Sequence, residues 1–290
     1  MHPSEDVSAG TLRVAAVQMN SGTDITENVE TALALIDRAA ADGARLVALP
    51  EVWTYLGPDE GALAAAEPIP GPTTDLLAER ARRHGIWLHS GSIAERVAGE
   101  PLVRNTTVVL DPRGEIVARY SKIHLFDVVL DGVATYQESE TVSPGDEVVT
   151  LDIDGFPVGL AICYDLRFPE LFRILALRGA EAIILPAAFT MTTGKDHWET
   201  LLRARAIENG FYMVAPAQFG MHRPDKWCYG RSLVIDPWGT VLATAPDGEG
   251  IIVADLDRAR VAAVRRQIPS LANRRPVAYR WPEAALAGMS

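Results

Sequence analysis

VGLAICYDLRFPEL, residues 158–171, sets the pattern for the rest of the chain. An apolar run ends in Cys163; Tyr164, Asp165 and Arg167 follow, and a Phe-Pro-Glu opens a new segment. The run reads as a buried strand and the proline as the first turn of a helix. A thiol at that junction sits where functional groups collect in parallel sheets. Taken alone, Cys163 is better read as a small core residue, because unpaired cysteine is among the most buried residue types.

Outward from this stretch, strands and helices alternate. PELFRILALRGA (169–180) has helical spacing, AEAIILPAA (180–188) is an apolar strand, and HWETLLRARAIENG (197–210) is a helix with a glycine stop. FYMVAPAQ (211–218) reads as a strand, CYGRSLVIDPWGTVLATA (228–245) as a hairpin, GIIVADLD (250–257) as a strand and RARVAAVRRQIP (258–269) as a helix. The first half has the same grammar. LRVAAVQMN (12–20) is a strand, residues 25–42 a helix stopped by Gly43, and ARLVALP (44–50) a strand with Glu51 directly after it. That strand–helix–strand order implies a parallel pair. Residues 56–72, rich in Gly, Pro and Ala, read as loop. Thr73 or Thr74 is placed to cap a helix that runs to His84 and stops at Gly85. IWLHSGSIAER (87–97) reads as one strand and NTTVVLDPRGEIVARY (105–120) as a hairpin. Residues 128–145 and 219–229 are irregular and are the candidates for a lid.

The turn DPWGTVLA echoes DPRGEIVA in the first half. The expectation is an α/β fold with an internal pseudo-two-fold repeat, two sheets face to face and helices outside, which would bury near-continuous apolar strands. Residues 11–270 read as a single domain, 1–10 as a polar, disordered or extended segment, and 271–290 as an extended tail.

The chain has 290 residues, 27 Lys plus Arg against 38 Asp plus Glu, and a net charge of −11. That charge repels phosphate backbones and excludes nucleic acid as a partner. No apolar run reaches membrane-span length, and the first ten residues lack a signal-peptide pattern. Two cysteines give no disulfide framework and point to a reducing, cytoplasmic setting. The six histidines are scattered without metal-ligand spacing, so no metal or other cofactor is expected.

Three reactive groups stand just past strands or hairpins: Glu51, Lys122 and Cys163. Separately, each has a plain reading as a strand-end charge, a solvated cation and core filler. Glu51 and Cys163 are expected at corresponding places in the two half-repeats, which would bring them together. In one site, the carboxylate would take the thiol proton and later donate it to a leaving amine. The lysine would favour the thiolate and stabilise an oxyanion, with the Tyr164 backbone N–H as a second donor.

LPE (49–51), YSKIHLFD (120–127), CYDLRFPEL (163–171) and DPWG (236–239), in that order, resemble the nitrilase superfamily of carbon–nitrogen hydrolases over about residues 12–275. The resemblance implies a four-layer αββα sandwich that forms a homodimer or a higher homo-oligomer, with the helices at 169–180 and 197–210 as the candidate pairing face and the 271–290 tail at the interface. It places a catalytic triad on Glu51, Lys122 and Cys163 and a further acidic residue on Glu138, with Glu140 as the alternative. YQES, CYDLRFPEL, HWETLLRARAIEN and YGRSLVIDPWGTV resemble the Nit branch of the superfamily. That branch implies a small linear amide bearing a carboxylate, of the 2-oxoglutaramate or deaminated-glutathione type, hydrolysed to acid and ammonia through a thioester. Arg167 is the candidate for the substrate carboxylate, with pairing to Asp165 or Glu170 as its structural alternative. Phe189, Thr193 and Tyr55 are candidate pocket residues. An N-carbamoyl amino acid amidohydrolase would use the same triad. A nitrilase is disfavoured because Tyr164-Asp165 stands where Trp-Glu is usual, and a silent binding homologue is disfavoured by the complete Glu-Lys-Cys set.

Overall fold

Successive residues of the first strand, β1 (Thr11–Met19), enter two different cores. Leu12, Val14 and Ala16 join one buried cluster, and Ala15, Val17 and Met19 join another. This period of two is what a strand covered on both faces requires. The computed structural model describes residues 10–130, 134–223 and 226–279.

After β1 come α1 (Ile25–Ala41), β2 (Leu46–Ala48), α2 (Asp59–Ala65), α3 (Pro72–His84), β3 (Trp87–His89), β4 (Ile93–Glu95), β5 (Arg104–Leu110) and β6 (Ile116–Ser121). A small hairpin, β7 (Asp127–Leu130) and β8 (Ala134–Gln137), precedes a short 3-10 turn, Glu138–Glu140. The second half runs β9 (Thr150–Ile153), β10 (Phe156–Leu160), α4 (Pro169–Leu177), β11 (Ala182–Ile184), α5 (Met191–Asn209) and β12 (Tyr212–Ala215). It closes with β13 (Ala217–Arg223), β14 (Lys226–Tyr229), β15 (Leu233–Ile235), β16 (Val241–Thr244), β17 (Gly250–Asp257) and α6 (Arg258–Gln267).

Two six-strand runs repeat one pattern. The order β17-β1-β2-β3-β5-β6 in the first sheet matches β9-β10-β11-β12-β15-β16 in the second. In both, the successive pairings are antiparallel, parallel, parallel, antiparallel and antiparallel. The two hairpin turns are also alike. Asp111 Oδ1 accepts from Arg113 and Glu115 N–H, and Asp236 Oδ1 accepts from Trp238 and Thr240 N–H, all within 2.8–3.0 Å. Gly114 and Gly239 take positive φ at the same turn position, 75° and 87°, which favours glycine. On the outside, α1 and α3 cover the first sheet through Ala32, Ile36, Leu77 and Ala81. The second sheet is covered by α4 and α5 through Phe172, Leu175, Trp198 and Leu202. The result is the four-layer αββα sandwich.

The structure alters several local expectations. Residues 87–97 are two strands rather than one, broken where Gly91 takes φ 66°. A Cβ there would lie 2.0 Å from Pro50 O, so the break lets two backbones meet beside Glu51. The 56–72 stretch holds α2, and α3 begins at Pro72. Its cap is Gly71, whose N–H donates to Thr74 Oγ1 at 2.8 Å; neither threonine is the cap residue itself. Helix α5 starts at Met191, well before residue 197. FYMVAPAQ divides at Pro216, and its two halves join different sheets. The strand order also corrects the expected equivalence of Glu51 and Cys163. Glu51 follows β2, whose counterpart is β11, so its match is Ala187; Cys163 follows β10, whose counterpart is β1. Of the lid candidates, residues 131–133 and 224–225 lie outside the described residues, as do 1–9 and 280–290 of the termini.

Candidate active site

Glu51 leaves the end of β2 into a strained turn. Val52, a β-branched residue, has φ 44°, and its N–H is held by Ser92 Oγ at 3.1 Å. The Gln218 side chain donates to the Glu51 carbonyl at 3.1 Å and so fixes the backbone behind the carboxylate. Glu51 is 3% exposed. Oε1 accepts from Lys122 Nζ at 3.1 Å and Asn105 Nδ2 at 3.0 Å, and Oε2 accepts from Ala188 N–H at 2.7 Å. Ala188 lies just past β11, so the two sheets meet on this one side chain.

Lys122 follows β6. Its ammonium also donates to both oxygens of Glu138, at 3.0 and 2.8 Å. Burial alone would lower its pKa, but the charges of Glu138 and Glu51 outweigh that and hold it well above the ordinary lysine value. Lys122 is therefore a fixed cation. Glu138 is itself anchored, because Phe126 N–H donates to its Oε2 at 2.6 Å.

Cys163 opens a 3-10 turn that spans Cys163–Arg167, with φ 44° and its N–H bonded to Pro186 O at 2.9 Å. A positive φ at a non-glycine residue points the side chain out of the strand direction, and such strain is concentrated at functional sites. Burial raises the thiol pKa well above its usual value, the Glu51 carboxylate raises it further, and Lys122 pulls against them. At neutral pH the group is a thiol whose nearest base is Glu51. Tyr164 stands in the first turn of the 3-10 helix, where backbone N–H groups lack intrahelical partners.

The turn is clamped from behind. Asp165, fully buried, accepts from Tyr120 OH at 2.6 Å, His124 Nδ1 at 2.7 Å and Ile162 N–H at 2.8 Å. Tyr120 and His124 bracket Lys122, so one carboxylate registers the lysine-bearing segment against the cysteine-bearing turn.

These groups line a cavity of about 270 Å³. Glu51, Tyr55, Lys122, Glu138, Cys163, Tyr164, Phe189 and Thr193 all reach it. Tyr55 is held by close glycines; a Cβ on Gly61 would fall 1.8 Å from its hydroxyl. Thr193 Oγ1 lies 2.9 Å from Thr190 Oγ1, and Phe189 packs on Trp198 at 5.1 Å. Glu140, the alternative to Glu138, is not among the lining residues. Arg167 does not line the cavity either. Its guanidinium lies over the rings of Tyr164 and Phe189, at 5.8 and 5.3 Å, and 3.4 Å from His197 Nδ1. Its expected structural partner Asp165 is occupied by Tyr120 and His124.

Sequence reasoning missed Asn105, Gln218 and the Asp165 clamp. A buried asparagine and a buried glutamine inside apolar strands were the available signal, since neither suits a strand interior without a partner. Among the described residues, no group of three His, Cys, Asp or Glu could hold a metal ion, and no helix is long and apolar enough to cross a membrane. Both cysteines are free and buried.

Residues 13–266 match the family model described as Carbon-nitrogen hydrolase. The chain is 44% identical over 263 residues to a deaminated glutathione amidase of Synechocystis sp., covering 90% of this chain and 97% of that protein. It is 40% identical over 267 residues to the human omega-amidase NIT2, covering 92% and 96%. Among solved structures, the C. elegans NitFhit protein superposes with a TM-score of 0.87 at 37% identity, covering 94% of this chain and 67% of that one. Saccharomyces cerevisiae Nit3, a member of branch 10 of the nitrilase superfamily, superposes with a TM-score of 0.82 at 31% identity, covering 92% and 97%.

Proposed function

The chain belongs to the carbon-nitrogen hydrolase family, the nitrilase superfamily, and we propose that it is a cysteine-dependent amidase acting on a small linear amide that carries a carboxylate. The observation that carries this reading is the convergence of the Glu51 carboxylate, one fixed ammonium and one neutral thiol in a single cavity, with Glu51 in contact with the other two. The names of the relatives, a deaminated glutathione amidase and an omega-amidase, support the substrate class.

The chemistry follows from the placement. As Cys163 Sγ attacks the amide carbon, its proton passes to Glu51, and the carbonyl electron pair moves to oxygen. Lys122 Nζ and the Tyr164 N–H stabilise that oxyanion. The intermediate collapses, the C–N bond breaks, and Glu51 returns the proton to the departing ammonia or amine. Glu51 then takes a proton from water, which attacks the thioester. The second intermediate expels the sulfur, which recovers its proton, and the acid leaves. Because the thiol is held neutral, base and nucleophile act together rather than through a resting thiolate. Glu138 and Asn105 position Lys122 and Glu51.

We place the enzyme in the cytoplasm, where the Cys163 thiol stays reduced, and pair two copies through α4 and α5, on which Ile174, Leu177 and Ile207 are exposed. The test of the function is product release from a panel of 2-oxoglutaramate, deaminated glutathione, N-carbamoyl amino acids and simple nitriles. Turnover of the carboxylate-bearing amides alone supports the reading. Turnover of N-carbamoyl compounds or nitriles in preference, or of nothing, contradicts it.

A further inference from the structure

A substrate carboxylate faces a difficulty in this cavity. Glu51 and Glu138 bring two negative charges to its reactive end and Lys122 only one positive charge. The chain as a whole carries −11. An anionic group on the substrate needs a cation elsewhere in the wall. Arg167 does not supply it at the lining.

Two cations that do line the cavity come from a different element. Arg223 and Lys226 stand opposite each other in the β13–β14 register, so their side chains project to the same face. Both side chains line the cavity, together with Trp227 and the buried Cys228 of the same hairpin, and Lys226 lies about 7 Å along β14 from Cys228. An aromatic wall joins it to the reaction centre. Tyr164 contacts Phe126 at 5.0 Å, Phe126 contacts Tyr136 at 5.0 Å, and Lys226 Nζ lies 4.4 Å from the Tyr136 ring centre. Arg223 Nε is buried and finds no acceptor among the described residues, whereas many other arginines of the chain meet a carboxylate, among them Arg13, Arg45, Arg205, Arg258 and Arg260. His222 beside them adds no charge at neutral pH: burial, and then the two neighbouring cations, push it down to about 4.

We propose that Arg223, with Lys226 beside it, forms a remote anion subsite that takes the carboxylate at the end of the substrate away from the scissile amide. This rests on the amidase reading and makes it more specific. The subsite selects linear amides long enough to span the aromatic wall, and rejects neutral amides that leave the guanidinium unpaired. Tyr136, held by Lys226, is the floor along which the chain of the substrate lies. Guanidinium binds carboxylate bidentately, so lysine at 223 is an imperfect substitute.

The experiment compares monoamides of linear dicarboxylic acids of increasing length with their methyl esters, on the intact protein and on Arg223→Gln, Arg223→Lys, Lys226→Gln and Arg167→Gln. The expected result is that Arg223→Gln lowers kcat/KM about tenfold or more for the anionic amide, mostly through KM, and leaves the ester nearly unchanged. Arg223→Lys recovers part of the loss. Equal losses on acid and ester, no loss, or a selective loss in Arg167→Gln alone overturns the proposal. A second readout separates it from the amidase reading: calorimetric titration of Cys163→Ala, with and without Arg223→Gln, using the same anionic amides. If binding weakens with Arg223→Gln but the intact protein releases no ammonia, the subsite stands and the amidase reading falls. If binding is unchanged by Arg223→Gln, the subsite falls whatever the turnover.

Discussion

The Tyr120 hydroxyl donates to Asp165 Oδ2 at 2.6 Å, and this bond joins the strand that delivers Lys122 to the turn that carries Cys163. Both groups are buried, and burial followed by the Asp165 charge raises the Tyr120 phenol well above its usual pKa. The hydroxyl is thus a permanent donor.

Tyr120→Phe removes that donor and leaves the Asp165 oxygen with Ile162 N–H alone. The expected cost is about 1.5–3 kcal/mol of stability, the range for a buried hydrogen bond to a charged group. The turnover number should fall several-fold while KM moves little, because the loss loosens the spacing of Lys122 and Cys163 rather than the pocket wall. A urea midpoint and steady-state kinetics check both parts.

Glu51→Gln separates the two effects of the carboxylate on Cys163. Glu51 raises the thiol pKa, after burial, while Lys122 lowers it. Removing the negative charge moves the pKa down and increases the thiolate fraction. Alkylation by iodoacetamide at pH 8 should therefore speed up in the variant, while amide turnover falls about 100-fold or more for want of a base. Slower alkylation in the variant would show that Glu51 does not hold the thiol protonated.

Lys122 sets the alkaline limit. Its folded pKa stands above the unfolded value of 10.5. The folded state then binds the extra proton, so its stabilising contribution is complete below about pH 10.5 and is lost as pH rises through the folded value. Glu138→Gln removes the larger of the two carboxylate contributions and should bring that loss to lower pH. Thermal melts from pH 8 to 11 measure it; identical alkaline profiles for the two proteins would refute the assignment.

Much of this arrangement was legible in the sequence, for local reasons. Gly85 and Gly210 end helices in left-handed conformation, and the Asp-Pro turns at 111 and 236 close on their own side chains. Such features depend on neighbours within a few residues. Pairings across the chain were not legible. Strand β17 aligns with β1, Leu256 against Leu12, and nothing in the local pattern says which sheet a buried strand enters. The equivalence drawn between Glu51 and Cys163 failed for that reason. The two residues meet nonetheless, because both lie past strand ends of sheets that pack face to face, not because they occupy corresponding places in the repeat. The place of Arg167 was not legible either, because proximity in sequence to Cys163 does not give the direction of a side chain in a 3-10 turn, which here runs over Tyr164 and Phe189.

Gly91→Ala tests the contact between the β3–β4 break and the Glu51 segment. The backbone has φ 66°, and the added Cβ would meet Pro50 O at 2.0 Å. Something must shift, and the segment that shifts carries Glu51. The variant should lose more than about 2 kcal/mol and show turnover depressed beyond what partial unfolding explains, measured as activity per folded molecule. Unchanged stability would mean that the close approach is not required.

The central claim is that Cys163 is acylated during turnover. Rapid acid quench of the enzyme with a carboxylate-bearing monoamide, followed by mass spectrometry of the peptides, tests it most directly. The account predicts an acyl adduct on the peptide that contains Cys163, formed with release of one ammonia, and neither adduct nor ammonia from Cys163→Ala. Ammonia release at the original rate by Cys163→Ala, or an adduct on Cys228 instead, contradicts it.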